Sequence, residues 1–236
     1  MKTKLQKTKQ YLRIQYNKFK RLTLKYPILI ALALLAIFAG GVSFVKILDR
    51  TVKTRKMPIE YIVVHYTANL NPGADAEANA RYLQKKERAG THYCVDDKEI
   101  IQCTEEHNVA YAVGDRKWNG FVPKFWLKNK IKNNNSLSFE MCLGGGRNDS
   151  LIMDITAQSV AWQLVNKGLD ISHVVRHHDV TGKHCPKFNY NDKNWDDKKE
   201  LDSWRKFMGE VRFYWMLQLE KKAMLKMKQN QPNILK

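Results

Sequence analysis

The chain has 236 residues, 44% of them apolar, with 9 Phe, 10 Tyr and 6 Trp; it can bury a core and is not a disordered polymer. Its net charge is +18, and nine of its 41 basic residues lie in the first 25 positions, where there is no acid. The remainder is basic as well, which favours an anionic partner (nucleic acid, a lipid surface or a wall polymer) without choosing among them. The four cysteines, Cys94, Cys103, Cys142 and Cys185, form no CxxC pair and are too few for a disulfide scaffold.

From Tyr26 to Val45 no residue is charged. A helix of that length covers roughly 30 Å, the thickness of a bilayer core. Pro27 stands where such a helix would begin, a position that tolerates a missing N–H. The basic arm precedes the run and only Lys46 and Arg50 follow it closely, so the positive-inside rule puts the N-terminus in the cytoplasm and the rest outside. A buried core helix and a cleaved signal peptide are the alternatives. The apolar run is longer than the usual signal-peptide core, which favours an uncleaved single-pass anchor.

Beyond a charged linker, Ile59 to His65 is apolar and β-branched and reads as a buried strand. Asp75 to Arg88 has helical composition, with Gly90 as its stop. His92 to Asp96 and Ile100 to Thr104 read as a hairpin, close enough for Cys94 and Cys103 to attempt a disulfide. Leu137 to Cys142 is a further strand. Thr156 is placed to cap a helix carrying Ala157, Val160, Ala161, Leu164 and Val165 on one face, ending at Gly168. Val174 to Arg176 is a last short strand, and Leu201 to Met227 a long aromatic-rich helix with a basic end. This order predicts an α/β fold: a mixed β-sheet flanked by helices, preceded by one N-terminal transmembrane helix.

Three features carry chemistry. His65 ends the apolar strand. Arg176 to Phe188, RHHDVTGKHCPKF, packs His177, His178, Asp179, Lys183, His184 and Cys185 into ten residues. Glu140 is an acid inside an apolar strand, where desolvation is costly without a use or a partner. A zinc site accounts for all three. Catalytic zinc takes three protein ligands and leaves a fourth position open. His65, His177 and Cys185 would supply two imidazoles and a thiolate, Glu140 a general base, and Lys183 a positive charge facing an oxyanion. Asp179 either orients a ligand imidazole or caps the local turn.

VVHYTA (Val63–Ala68), THYCVDD (Thr91–Asp97), SLSFEMC (Ser136–Cys142) and VVRHHDVTGKHCP (Val174–Pro186) together resemble the zinc N-acetylmuramoyl-L-alanine amidases, the type 2 group related to phage endolysins and peptidoglycan-recognition proteins. The resemblance runs from about Pro58 to Phe188. It implies Zn2+ on His65, His177 and Cys185, with Glu140 as base and Lys183 as transition-state partner. The family register selects His177 over His178, which leaves His178 and His184 as flanking residues facing substrate. Some members use a tyrosine where this chain has Thr91, so that variant mechanism is in doubt here. The segment Gly114 to Asn135 is longer than expected; Trp118 and Trp126 in it are candidates for a lip that holds substrate through aromatic faces.

The expected organisation is a basic cytoplasmic segment (1–25), a transmembrane signal anchor (26–48), a linker (49–57), a zinc amidase domain (58–200) and a C-terminal helical extension (201–236). The expected activity is hydrolysis of the amide between N-acetylmuramic acid and L-alanine in peptidoglycan, by a monomeric catalytic domain outside the cytoplasm. The alternative is a non-catalytic peptidoglycan sensor on the same fold, against which Cys185 and Glu140 both speak. A nucleic-acid partner is not expected, since no recognisable binding motif accompanies the charge.

Overall fold

The computed structural model describes residues 43–46, 53–114, 127 and 129–229. Every described residue belongs to the unit Ser43–Lys236. Its elements are β1 (Ser43–Lys46), β2 (Tyr61–Tyr66), α1 (Ala76–Gln84), β3 (Tyr93–Val95), β4 (Glu99–Gln102), β5 (Ser136–Met141), α2 (Asp149–Lys167), β6 (Val174–Arg176), α3 (His177–Thr181) and α4 (Asp197–Gln229). The strands form one sheet in the order β1-β4-β3-β5-β2-β6. Only the β3–β4 pair is antiparallel. This is the expected mixed sheet with helices packed on it.

The central strands explain the sequence pattern. Ile62, Val63 and Val64 on β2 and Leu137, Phe139 and Met141 on β5 are all buried, as near-continuous apolar strands covered on both faces must be. One face carries a cluster of Ala76, Ala80, Cys94, Ile101, Cys103 and Cys142 under α1. All four cysteines are free and buried; Cys103 Sγ lies 3.6 Å from Cys94 Sγ, unbonded. On the other face Tyr93 stacks on Phe139 at 4.7 Å, and Gln163 of α2 donates to the Tyr93 hydroxyl at 3.3 Å. The expected apolar face of α2, Ala157, Val160, Ala161, Leu164 and Val165, is buried in full.

Three elements begin or end elsewhere than their composition indicates. α2 starts two turns before Thr156: Asn148 is its N-cap, accepting from Leu151 N, while the Thr156 hydroxyl donates back to Ile152 O at 2.7 Å. Gly168 does end it, in the left-handed conformation at φ 68°. α1 stops at Gln84, six residues short of Gly90. α4 begins at Asp197, where Asp196 accepts from Lys198 N and Lys199 N, and it anchors itself by burying Trp204, Phe207 and Val211. Full burial of such a side chain contributes about 1.5–3 kcal/mol.

The expected membrane anchor, residues 26–48, falls mostly outside the described residues. Its described part departs from expectation: Ser43–Lys46 is not helical but an edge strand, pairing in parallel with Glu99–Gln102. Among the described residues no helix is long and apolar enough to cross a membrane. The physical reason for the misreading of these four residues is that SFVK is equally good as the end of an apolar span and as a β-branched edge strand.

Candidate active site

Parallel pairing brings the site together. β2 lies between β5 and β6, with His65 in register with Glu140 on one side and Val64 with Arg176 on the other. His177 follows β6 directly and opens α3. There Asp179 accepts from Arg176 N at 3.1 Å and from Arg176 Nη2 at 2.8 Å. Asp179 thus closes a capping box on the turn, the second of its two expected roles. α3 ends at Gly182, whose φ of 82° turns the chain back so that Cys185 meets the two histidines. Only glycine takes that backbone region without strain.

His65, His177 and Cys185 are 1%, 2% and 3% exposed. His65 Nδ1 is 3.0 Å from His177 Nδ1 and 3.8 Å from Cys185 Sγ, and the three donor atoms lie within 4.8 Å of one another. Tetrahedral zinc with its usual bond lengths sets N···N and N···S edges of about 3.3 and about 3.6 Å. Glu140 Oε2 is buried without a hydrogen-bond partner among the described residues. An orphan of this kind costs about 1–3 kcal/mol, so the cleft suits an occupant that satisfies polar atoms. Donor chemistry and spacing both fit a zinc ion.

Glu140 Oε1 stands 4.0 Å from His65 Nδ1. Burial pushes the Glu140 carboxyl up to about 7, against the pull of the Lys183 charge. Burial also drives the His65 imidazole well below its ordinary value, helped by His177 and Lys183, so that ring is neutral and has a lone pair to give. His65, Glu140, His177, Lys183 and Cys185 all line one cleft of about 760 Å³. Tyr66, Arg88, Tyr111 and Asn133 form other parts of its wall.

The remaining candidates lie elsewhere. Thr91 is fully buried and its hydroxyl donates to Ser138 O at 3.0 Å; it braces β3 against β5 and does not line the cleft. His178 is 3% exposed and also stays out of the cleft wall, contrary to a role facing substrate. His184 is exposed and stacks on Trp195, ring centroids 4.6 Å apart. Trp118 and Trp126 lie outside the described residues. Two supporting residues gave no sequence signal. Arg55, in the charged linker, donates to the carbonyls of Glu106, Asn108, Asn134 and Ser136 at 2.7–3.1 Å, fixing the approach to β5. His92 accepts from Ser138 N through Nδ1 at 3.1 Å. Neither role shows in a linear pattern, because every partner is distant in sequence.

Two imidazoles and a thiol at the ends of parallel strands, with an acid and an amine sharing the cleft, have the composition of a hydrolytic metal centre. The family model described as N-acetylmuramoyl-L-alanine amidase matches residues 55–188, which include all five of these residues. The chain belongs to this family. It is 34% identical over 155 residues to the N-acetylmuramoyl-L-alanine amidase CwlL of Bacillus licheniformis, covering 61% of this chain and 41% of that protein. To BlyA of Bacillus subtilis it is 36% identical over 138 residues, covering 54% and 36%. The chain thus spans less than half the length of these two relatives. Among solved structures, a mutant endolysin from Bacillus subtilis is 26% identical with a TM-score of 0.55, covering 72% of this chain and 99% of that one. The catalytic domain of PlyG is 25% identical, also with a TM-score of 0.55, covering 74% and 96%.

Proposed function

We propose that the protein hydrolyses the amide bond between N-acetylmuramic acid and L-alanine in peptidoglycan, with zinc held by His65, His177 and Cys185. The observation that carries this reading is the convergence of those three side chains in the cleft that Glu140 and Lys183 also line. The activity by which the relatives are named, N-acetylmuramoyl-L-alanine amidase, supplies the bond. Bound there, zinc supplies Lewis acidity toward the scissile carbonyl and acidifies water. Glu140 takes the proton of the attacking water and returns it to the leaving amine. In metal-free protein burial raises this carboxyl to about 7, and a bound zinc charge would pull it back down, toward the ionised base that the first transfer needs. Lys183 offsets the negative charge that builds on the carbonyl oxygen in the transition state. The buried, neutral His65 and the short turn to Cys185 keep the donor set in place while the cleft admits a glycopeptide.

The protein is further proposed to work outside the cytoplasm as a monomeric catalytic domain behind a single N-terminal span. Support comes from the uncharged run Tyr26–Val42, the part of the expected anchor that lies before β1, and the basic arm ahead of it. Carbonate extraction of membranes and protease accessibility of the catalytic unit test that placement; release into the soluble fraction would refute it.

The activity is tested by incubating the purified chain with intact peptidoglycan and reading products by mass spectrometry, with zinc counted by elemental analysis. Stem peptides freed at an N-terminal alanine, lost on chelation and restored by zinc, are expected. Retained wall binding without cleavage in zinc-loaded protein would convert the reading to a sensor.

A further inference from the structure

We infer that His178, which lies outside the cleft, is a positioning residue that fixes the turn carrying Lys183. The inference rests on the assignment of Lys183 above and deepens it.

The turn Gly182–Cys185 is tied to this residue at four points. The His178 backbone N–H donates to Cys185 O at 2.7 Å, and its carbonyl accepts from Gly182 N at 2.9 Å. Its ring Nδ1 lies 3.0 Å from both Gly182 O and Lys183 O. Carbonyl oxygens only accept, so Nδ1 carries the proton and is shared between the two. The ring is thereby set as a side-chain clamp on the peptide units flanking the Lys183 Cα. The Lys183 carbonyl also accepts from Cys185 N at 2.7 Å and Lys183 N donates to Thr181 Oγ1 at 3.3 Å, so the ring adds a side-chain tie to a turn partly closed by its own backbone.

The far side of the ring packs against the start of α4, where Nε2 is buried without a hydrogen bond among the described residues. Asp197 Oδ1 stands 3.5 Å from Nε2, and the Trp195 ring packs at 4.7 Å between centroids. Trp195 Nε1 in turn donates to Asp197 Oδ1 at 2.7 Å, which fixes the carboxylate. The imidazole is therefore wedged between the catalytic turn and the C-terminal helix, with no freedom to swing out. Lys183 itself is exposed and has a four-carbon stem. The aim of such a side chain depends on where its backbone is held. Misplacing a reacting group by about an ångström lowers rate by about a hundredfold.

The geometry distinguishes two substitutions. In His178→Asn the side-chain amide places an N–H close to where Nδ1–H stands, so the clamp survives. His178→Leu fills the space and donates nothing. Expected for the leucine variant are one zinc per chain, KM within about twofold of wild type and kcat lowered by about tenfold to a hundredfold. Faster amide hydrogen exchange over Gly182–Cys185 is expected alongside. The asparagine variant should recover most of kcat and of the exchange protection. In a Lys183→Ala background the leucine substitution should add no further loss in kcat. Wild-type kcat in His178→Leu, or an asparagine variant as slow as the leucine one, overturns the inference. So does an undiminished effect of His178→Leu when Lys183 is already gone. Wild-type kcat in Lys183→Ala alone overturns the assignment of Lys183, a result separable from any loss seen in His178→Leu.

Discussion

Glu140 and His65 are in-register partners on adjacent parallel strands, and their side chains meet at 4.0 Å on the same face of the sheet. The acid proposed to move the proton and the first metal donor are thus held by the sheet rather than by loops. Glu140→Gln keeps the shape and removes the base. Zinc stoichiometry should be unchanged while kcat falls by about a hundredfold or more. Elemental analysis and single-turnover kinetics on intact peptidoglycan check both halves.

The same carboxyl sets a pH dependence in metal-free protein. Unfolded, it releases its proton near 4.5; folded, near 7, because it is buried. Between those values the folded state binds more protons, so stability falls as pH rises from about 4.5 to about 7 and is level above. Glu140→Gln should remove this slope and raise metal-free stability at neutral pH by about 3 kcal/mol at most. Urea unfolding of chelated protein across that range measures it.

His92 acts in the opposite direction. Burial, followed by the Arg55 charge, lowers its imidazole from 6.5 to about 3. The unfolded chain therefore binds the proton first as pH drops below 6.5, and stability is lost progressively down to about 3. His92→Gln should be less stable than wild type at pH 7, since the bond from Ser138 N is disturbed, yet should lose less stability on acidification. Equal acid sensitivity of the two proteins would assign the lability to another group.

Asp179→Ala leaves the Arg176 guanidinium, 6% exposed, without its carboxylate. Breaking a buried pair from one side costs about 3–5 kcal/mol. The melting temperature should fall clearly, and zinc affinity with it, because His177 opens the turn that this pair caps. Differential scanning calorimetry and zinc competition with a chromogenic chelator report the two effects.

Cys185→Ser exchanges the thiolate donor for a hydroxyl that stays protonated at neutral pH. Zinc content well below one per chain and loss of peptidoglycan cleavage are expected, with the apo melting temperature close to that of chelated wild type. Full activity in this variant would remove Cys185 from the donor set.

How legible the sequence was depended on the range of the interactions. β2 and β5 were readable because burial on both faces leaves an apolar run, and Glu140 stood out as the charge within one. The grouping of His177, Lys183 and Cys185 was visible because one short turn contains it. Thr156 misled because a hydroxyl bonded to the preceding turn looks in sequence like a cap, whereas Asn148 supplies the real one. His178 misled because side-chain direction is set by neighbouring strands and helices, not by distance along the chain. Arg55 was silent, since all the carbonyls it holds lie at least 51 residues away.

Beyond the last residue of the family match, the chain is still bound to what precedes it. Glu200 of α4 is 1% exposed and accepts from Phe188 N at 2.8 Å and Asn189 N at 3.1 Å, immediately after the Cys185–Pro186 bend. Phe188 also packs against Trp204 and Phe207. The family match stops at residue 188, but the folding unit does not; the edge of that match and the seam along which the protein could be cut are different places. A fragment ending at 188 would strip the Phe188 amide of its acceptor and uncover the Phe188 ring, so the long helix is the floor beneath the catalytic turn rather than a tail attached to it.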